Sequence, residues 1–217
     1  MNGVFSAVRE HEPKAGLTIS SPSGLKAETG VDYFSLGAGT EISSEKYDRP
    51  VIYFGLYGHG VYQLGNGREV QWRVVRPGEI LMTPANTLCR KETADGCVYA
   101  EIMPGKEIQM NEAVKAGEVF QLGMAVPYEK GSVVNMDVAS NDQMKFAVMA
   151  FDEGTGLSPH SAPGDALAFA LEGKAVIGYE GKEYPIEAGE NFRFEKGGIH
   201  SIQADGKFKM ALLLLLA

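Results

Sequence analysis

The sequence predicts an all-β protein made of two homologous domains, and three observations carry that expectation. Gly accounts for 27 of the 217 residues and Pro for 10, and turn signals recur between short alternating apolar runs. That texture belongs to a β-sandwich or barrel. No long amphipathic helical pattern interrupts it. The third observation is an internal repeat. Gly37 to Gly58 aligns without a gap on Asp152 to Gly173 and matches Gly39/Gly154, Thr40/Thr155, Ser43/Ser158, Phe54/Phe169, Leu56/Leu171 and Gly58/Gly173. The same offset of 115 pairs Val4-Phe5 with Val119-Phe120. Beyond it the offset falls to 111, pairing Gly78-Glu79 with Gly189-Glu190, as a longer first-copy hairpin around Gly65-Asn66-Gly67 would require.

Taken in order, the first copy offers strands at Thr18 to Ser20, Tyr33 to Leu36, Val51 to Tyr57, Gly60 to Leu64, Gln71 to Val75, Glu79 to Met82 and Cys97 to Ile102. Glu107 to Lys115 reads as a short helix or linker. The second copy offers Val133 to Val138, Lys145 to Phe151, Ala166 to Leu171, Ala175 to Tyr179, Glu183 to Ile186, Asn191 to Phe194 and Phe208 to Leu216. The domains expected from this division are 1–107 and 118–217. Met210 to Ala217 is too short to span a bilayer and reads as a final strand buried on both faces.

One stretch stands apart. In Ala166-Leu167-Ala168-Phe169-Ala170-Leu171 one strand face carries only alanines and the other carries large apolar side chains. Pro163 and Gly164 before it and Gly173 after it leave too little length for a helix. An alanine face suggests a strand beside a cavity. The bland alternative is that Phe192, Phe194 or Met149 fills the space.

Composition narrows the partners. With 28 acidic against 20 basic residues the net charge is −8, which argues against nucleic acid and anionic membranes and favours a small-molecule ligand. Cys89 and Cys97, without a CxxC pair, are expected as free thiols, and the absence of a signal-peptide pattern suits a cytoplasmic protein.

The second copy resembles the cupin pattern. Gly154, His160 and Gly173 fall at positions of its first motif, and Gly189, Gly197 and His200 at positions of its second. The resemblance implies two tandem antiparallel jelly-roll barrels, the double-stranded β-helix fold, able to hold a ligand inside a barrel and to form homodimers. The family's metal-binding members use three histidines and a carboxylate. Here the second histidine position is Ala162 and the carboxylate position Ala166, while Glu195 and Ala204 replace a proline and an asparagine. The residues themselves specify no cofactor; the resemblance allows a divalent metal such as Zn, Fe, Mn or Ni on His160 and His200, with Asp165 or Glu195 as third ligand. Strand parity turns Asp165 away from His160 unless a bulge intervenes.

Three readings of the histidine pair stay open: pocket histidines bonded to neighbours, metal ligands, or a metal-free grip on a ligand with one ring as general base. The function expected is binding of a sugar-like or organic-acid-like molecule in a pocket formed by His160, His200, Ala162, Ala166 and Ala168. The competing expectation is a metal-dependent isomerase, lyase or dioxygenase. In the first copy the corresponding positions are Glu45, Tyr47, Val51 and Cys89, so that barrel is expected to be a scaffold with its interior filled by Tyr47, Val51 and Tyr53.

Overall fold

The computed structural model describes residues 3–25, 30–65 and 69–216, so Asn66 and Gly67 of the expected hairpin lie outside the described residues. The chain divides into two compact units. It opens with β1 (Val4–Phe5) and α1 (Ala7–Glu10), and continues through β2 (Thr18–Pro22), β3 (Gly30–Leu36), β4 (Glu41–Glu45), β5 (Val51–Gly58) and β6 (Gly60–Leu64). Next come β7 (Gln71–Val75), β8 (Glu79–Thr83), β9 (Cys89–Glu92), β10 (Cys97–Met103), β11 (Gln109–Met110) and β12 (Val119–Gln121). The second half holds a short 3-10 turn at Leu122–Met124, then β13 (Val133–Ser140), β14 (Met144–Phe151), β15 (Gly156–Ser161), β16 (Asp165–Tyr179), β17 (Lys182–Glu187), β18 (Asn191–Phe194) and β19 (Ile199–Leu215).

The N-terminal unit, residues 7–24 and 28–121, has two antiparallel sheets, ordered β12-β8-β5-β10-β3-β2 and β4-β9-β6-β7. Inward alternation builds its core from Leu36, Val51, Tyr53, Tyr62, Leu81 and Tyr99. The rings of Tyr53, Tyr62 and Tyr99 touch at centroid distances of 5.0 to 6.0 Å, which closes the interior.

The C-terminal unit, residues 1–6, 25–27 and 122–217, repeats this plan with longer strands. β16 and β19 each run through both layers. Asp165 to Gly173 pairs with Phe208 to Leu215 in one, and Lys174 to Tyr179 pairs with His200 to Asp205 in the other. The first layer is completed by β1, β18, β14 and β13, the second by β15 and β17. The lead-in strands keep one register: Val4 faces Phe192 as Val119 faces Leu81, which is the 115 and 111 offsets in three dimensions.

Several sequence expectations change here. Ala166–Leu171 and Ala175–Tyr179 are one strand, its ladder shifting register around Gly173. Glu107–Lys115 contains a two-residue strand and no helix. The compact units also differ from the expected 1–107 and 118–217, because Val4-Phe5 hydrogen-bonds to the C-terminal unit's β18 and Val119–Gln121 to the N-terminal unit's β8. Among the described residues no helix is long and apolar enough to cross a membrane. Both cysteines are free and buried.

Candidate functional site

His160 and His200 arrive at one place by strand pairing. His160 lies on β15, and after a register shift that follows Leu157 it sits directly opposite His200 at the start of β19. Their ring centroids are 4.1 Å apart, and the Phe194 ring lies 4.5 Å from that of His200. The His160 Nδ1 is 2.8 Å from the Ser158 carbonyl oxygen and the His200 Nδ1 is 3.3 Å from that of Gly198. A carbonyl only accepts, so each Nδ1 carries the proton and donates it; in the neutral ring Nε2 is then a bare lone pair. Burial, aided by the neighbouring His160, holds His200 below the usual imidazole value against the opposing Gly198 contact.

Both imidazoles line a cavity of about 290 Å³, together with Ala162 and Ala166. The alanine face therefore does border open space, but only at its outer end. Ala168 lies between Phe192 and Leu212 in the ladder, within the closed core, and does not line the cavity. Phe194 and Met149 bound the cavity rather than fill it, while Phe192 is buried with Tyr179 and Tyr184. The remaining wall comes from Asn135, Lys145, Ala147, Leu157, Pro163, Leu212 and Leu214. Lys145 is half-exposed at the rim, 3.0 Å from the Asp137 carboxylate.

Asp165 and Glu195 stand elsewhere. Asp165 accepts the Lys196 backbone N–H at 2.8 Å, consistent with its outward parity, and Glu195 is exposed. Neither lines the cavity. The wall residues on β13, β14 and β19 carry no motif. Only the alternation of Lys145, Ala147 and Met149 along β14, and of Leu212 and Leu214 along β19, placed them on the inner face.

The corresponding place in the N-terminal unit is a filled, charged core. Glu45 faces Cys89 in register, as His160 faces His200. Between them and β10 stands Lys91, whose Nζ is 2.7 Å from Glu45 Oε2 and 3.3 Å from Glu101 Oε2. Its ammonium also lies 5.0 Å from the centre of the Tyr53 ring. Burial raises the Glu101 carboxyl above its ordinary value although Lys91 pulls the other way, and burial pushes the Cys89 thiol up to about 11. Tyr47 is raised too, chiefly by burial and by the carboxylates of Glu101 and Glu45. Lys91 and Glu101 were not legible as a pair in the sequence.

With this geometry in view, the family model described as a cupin domain matches residues 147–216. The chain carries a cupin domain. Among solved structures, a cupin 2 conserved barrel domain protein from Leptotrichia buccalis shares the fold with a TM-score of 0.85 at 24% identity, over 98% of this chain and 95% of that one. A variant of Bacillus subtilis oxalate decarboxylase aligns with a TM-score of 0.58 at 12% identity, over 98% of this chain and 77% of that chain. At these identities the likeness is one of fold. No curated protein sequence matches the chain significantly. In the cupin domain, the four positions that correspond by resemblance to metal ligands, His160, Ala162, Ala166 and His200, all line the one cavity. Among the described residues no group of three or more His, Cys, Asp or Glu is placed to hold an ion. Two imidazoles fall short of the three protein ligands of a catalytic metal site.

Proposed function

We propose that the cupin domain binds a small organic molecule in the cavity between His160 and His200, and that recognition rather than turnover is its task. The observation that carries this reading is the open cavity itself, which has two imidazoles at one end and mostly apolar side chains elsewhere. Its size suits a compact ligand. The test is a thermal-shift screen of sugars, alcohols and organic acids on chelator-treated protein, repeated on Ala166→Phe, which fills the cavity. Ligands that stabilise the parent and lose their effect in the variant support the reading; ligands that stabilise both equally overturn it.

A second reading is a divalent-metal-dependent enzyme with His160 and His200 as ligands. The orientation of both rings favours it, since donation from Nδ1 to a carbonyl leaves Nε2 free for an ion. A bound divalent ion would supply Lewis acidity to a ligand in the cavity. Among the described residues the cavity supplies two such ligands, His160 and His200. Stoichiometric metal in protein purified without added ions, lost in both His160→Ala and His200→Ala, would decide for this reading.

A further inference from the structure

We infer that the cavity selects a compact, mainly apolar molecule presenting a hydroxyl to the paired imidazoles, a phenol or an apolar alcohol, in preference to a carboxylate or a sugar. This rests on the binding reading above and narrows it. With Nδ1 of His160 2.8 Å from the Ser158 carbonyl and Nδ1 of His200 3.3 Å from the Gly198 carbonyl, each ring spends its Nδ1 proton on the backbone and keeps Nε2 as an acceptor. A carboxylate brings acceptors only and would face these lone pairs unpaired. A hydroxyl brings the donor that the pair lacks, and the more acidic hydroxyl of a phenol donates more strongly.

Among the described residues that line the cavity, Lys145 is the lysine. The Lys145 ammonium is half-exposed at the rim, 3.0 Å from the Asp137 carboxylate, which competes with an anionic ligand for it. The body of the ligand meets Met149, Leu157, Pro163, Phe194, Leu212 and Leu214. A sugar would strand most of its hydroxyls against that wall, and burying an unpaired hydroxyl is costly. A ring or a branched aliphatic chain fits the same surface without loss. Asn135 is left as a secondary polar contact.

The experiment compares three probes on the full chain in excess chelator near pH 7.5 by ligand-observed NMR titration: phenol, methoxybenzene, which keeps the ring and removes the donor, and benzoate. We expect phenol to bind about tenfold more tightly than methoxybenzene, the worth of one hydrogen bond. Benzoate should bind more weakly than phenol. The advantage of phenol should shrink to within about twofold in His200→Phe and in His160→Phe. Equal binding of phenol and its methyl ether, or tighter binding of benzoate, would overturn the hydroxyl inference while leaving the cavity as a binding site. Phenol binding that appears only on adding a divalent ion would overturn direct recognition by the imidazoles. Failure of every probe, together with no Ala166→Phe-sensitive ligand in the wider screen, would sink both readings.

Discussion

Replacing Lys91 by methionine is the sharpest test of how the N-terminal barrel is held together. The Lys91 side chain is 1% exposed and that of Glu101 2%, whereas Glu45 is 41% exposed. At the observed 3.3 Å separation two unit charges attract by about 5 kcal/mol for an effective dielectric constant near 20. Desolvating the two ions costs several kcal/mol each, so the intact pair contributes little net stability. Removing one partner exposes the penalty. Glu45 can return to water, but Glu101 cannot, and it keeps only its contact with Tyr47. We expect Lys91→Met to destabilise the unit by about 3 kcal/mol, and Lys91→Met combined with Glu101→Leu to recover to within about 1 kcal/mol of the parent. The assay is urea unfolding followed by Trp72 fluorescence. Trp72 is the one tryptophan of the chain, lies on β7 of this unit and is 51% exposed. The pH dependence has a fixed sign. Because the folded Glu101 carboxyl lies above its unfolded value, the native state binds its proton more readily between the two values. Stability therefore falls as pH rises through that window, and Glu101→Gln should flatten the slope. A single variant within about 0.5 kcal/mol of the parent, or a double variant no better than the single, would refute the reasoning.

Two other predictions concern buried thiols and strand bends. Burial pushes Cys89 and Cys97 both up to about 11, so at pH 8 only about one thiol in a thousand is ionised. Iodoacetamide labelling followed by mass spectrometry should be roughly a hundredfold slower in native protein than in urea; equal rates would contradict the burial argument. Gly58 and Gly173 occupy equivalent bends with φ of +61° and +74°, and a Cβ on either would collide with a carbonyl, that of Gly96 or of Lys207. Gly173→Ala should cost about 2–4 kcal/mol, whereas Gly154→Ala, at φ +72° but with open space around it, should cost about 1 kcal/mol, measured by thermal or urea unfolding.

What was legible in the sequence follows the strength of each local signal. Strands with clear inward alternation, such as Gly60–Leu64 and Asn191–Phe194, were readable to the residue. Glu41–Glu45, Cys89–Glu92 and Gly156–Ser161 were not, because EISSE, CRKE and GLSPHS are largely polar. They are strands by virtue of their partners, not their propensity. Lys91 sits in CRKE, which looks like solvated surface, and its partners stand 46 and 10 residues away on β4 and β10. The histidine pair was legible because both residues fall at family motif positions, and the extent of the cavity was not. An alanine face says that volume is missing from one strand; only the facing strands decide where that volume stays open.

The two units show that this choice lies in side chains rather than in backbone. Tyr47, Val51 and Tyr53 of the first copy correspond by the 115 offset to Ala162, Ala166 and Ala168 of the second, and Lys91 and Glu101 correspond by the 111 offset to Ile202 and Leu212. Cross-strand registers at the centre are the same in both, Glu45 opposite Cys89 and His160 opposite His200. In the first copy large rings and an ammonium held by two carboxylates occupy the centre. In the second, alanines withdraw volume next to the two imidazoles, and the loss is not made good by Phe194 or Met149. In the first, the buried ammonium of Lys91 has Glu45 and Glu101 as partners, while among the described residues the Tyr53 and Tyr99 hydroxyls are buried without one. In the second the equivalent positions carry alanines, so His160 and His200 border space that the neighbouring side chains leave open, and it is this space that the ligand proposed above would occupy.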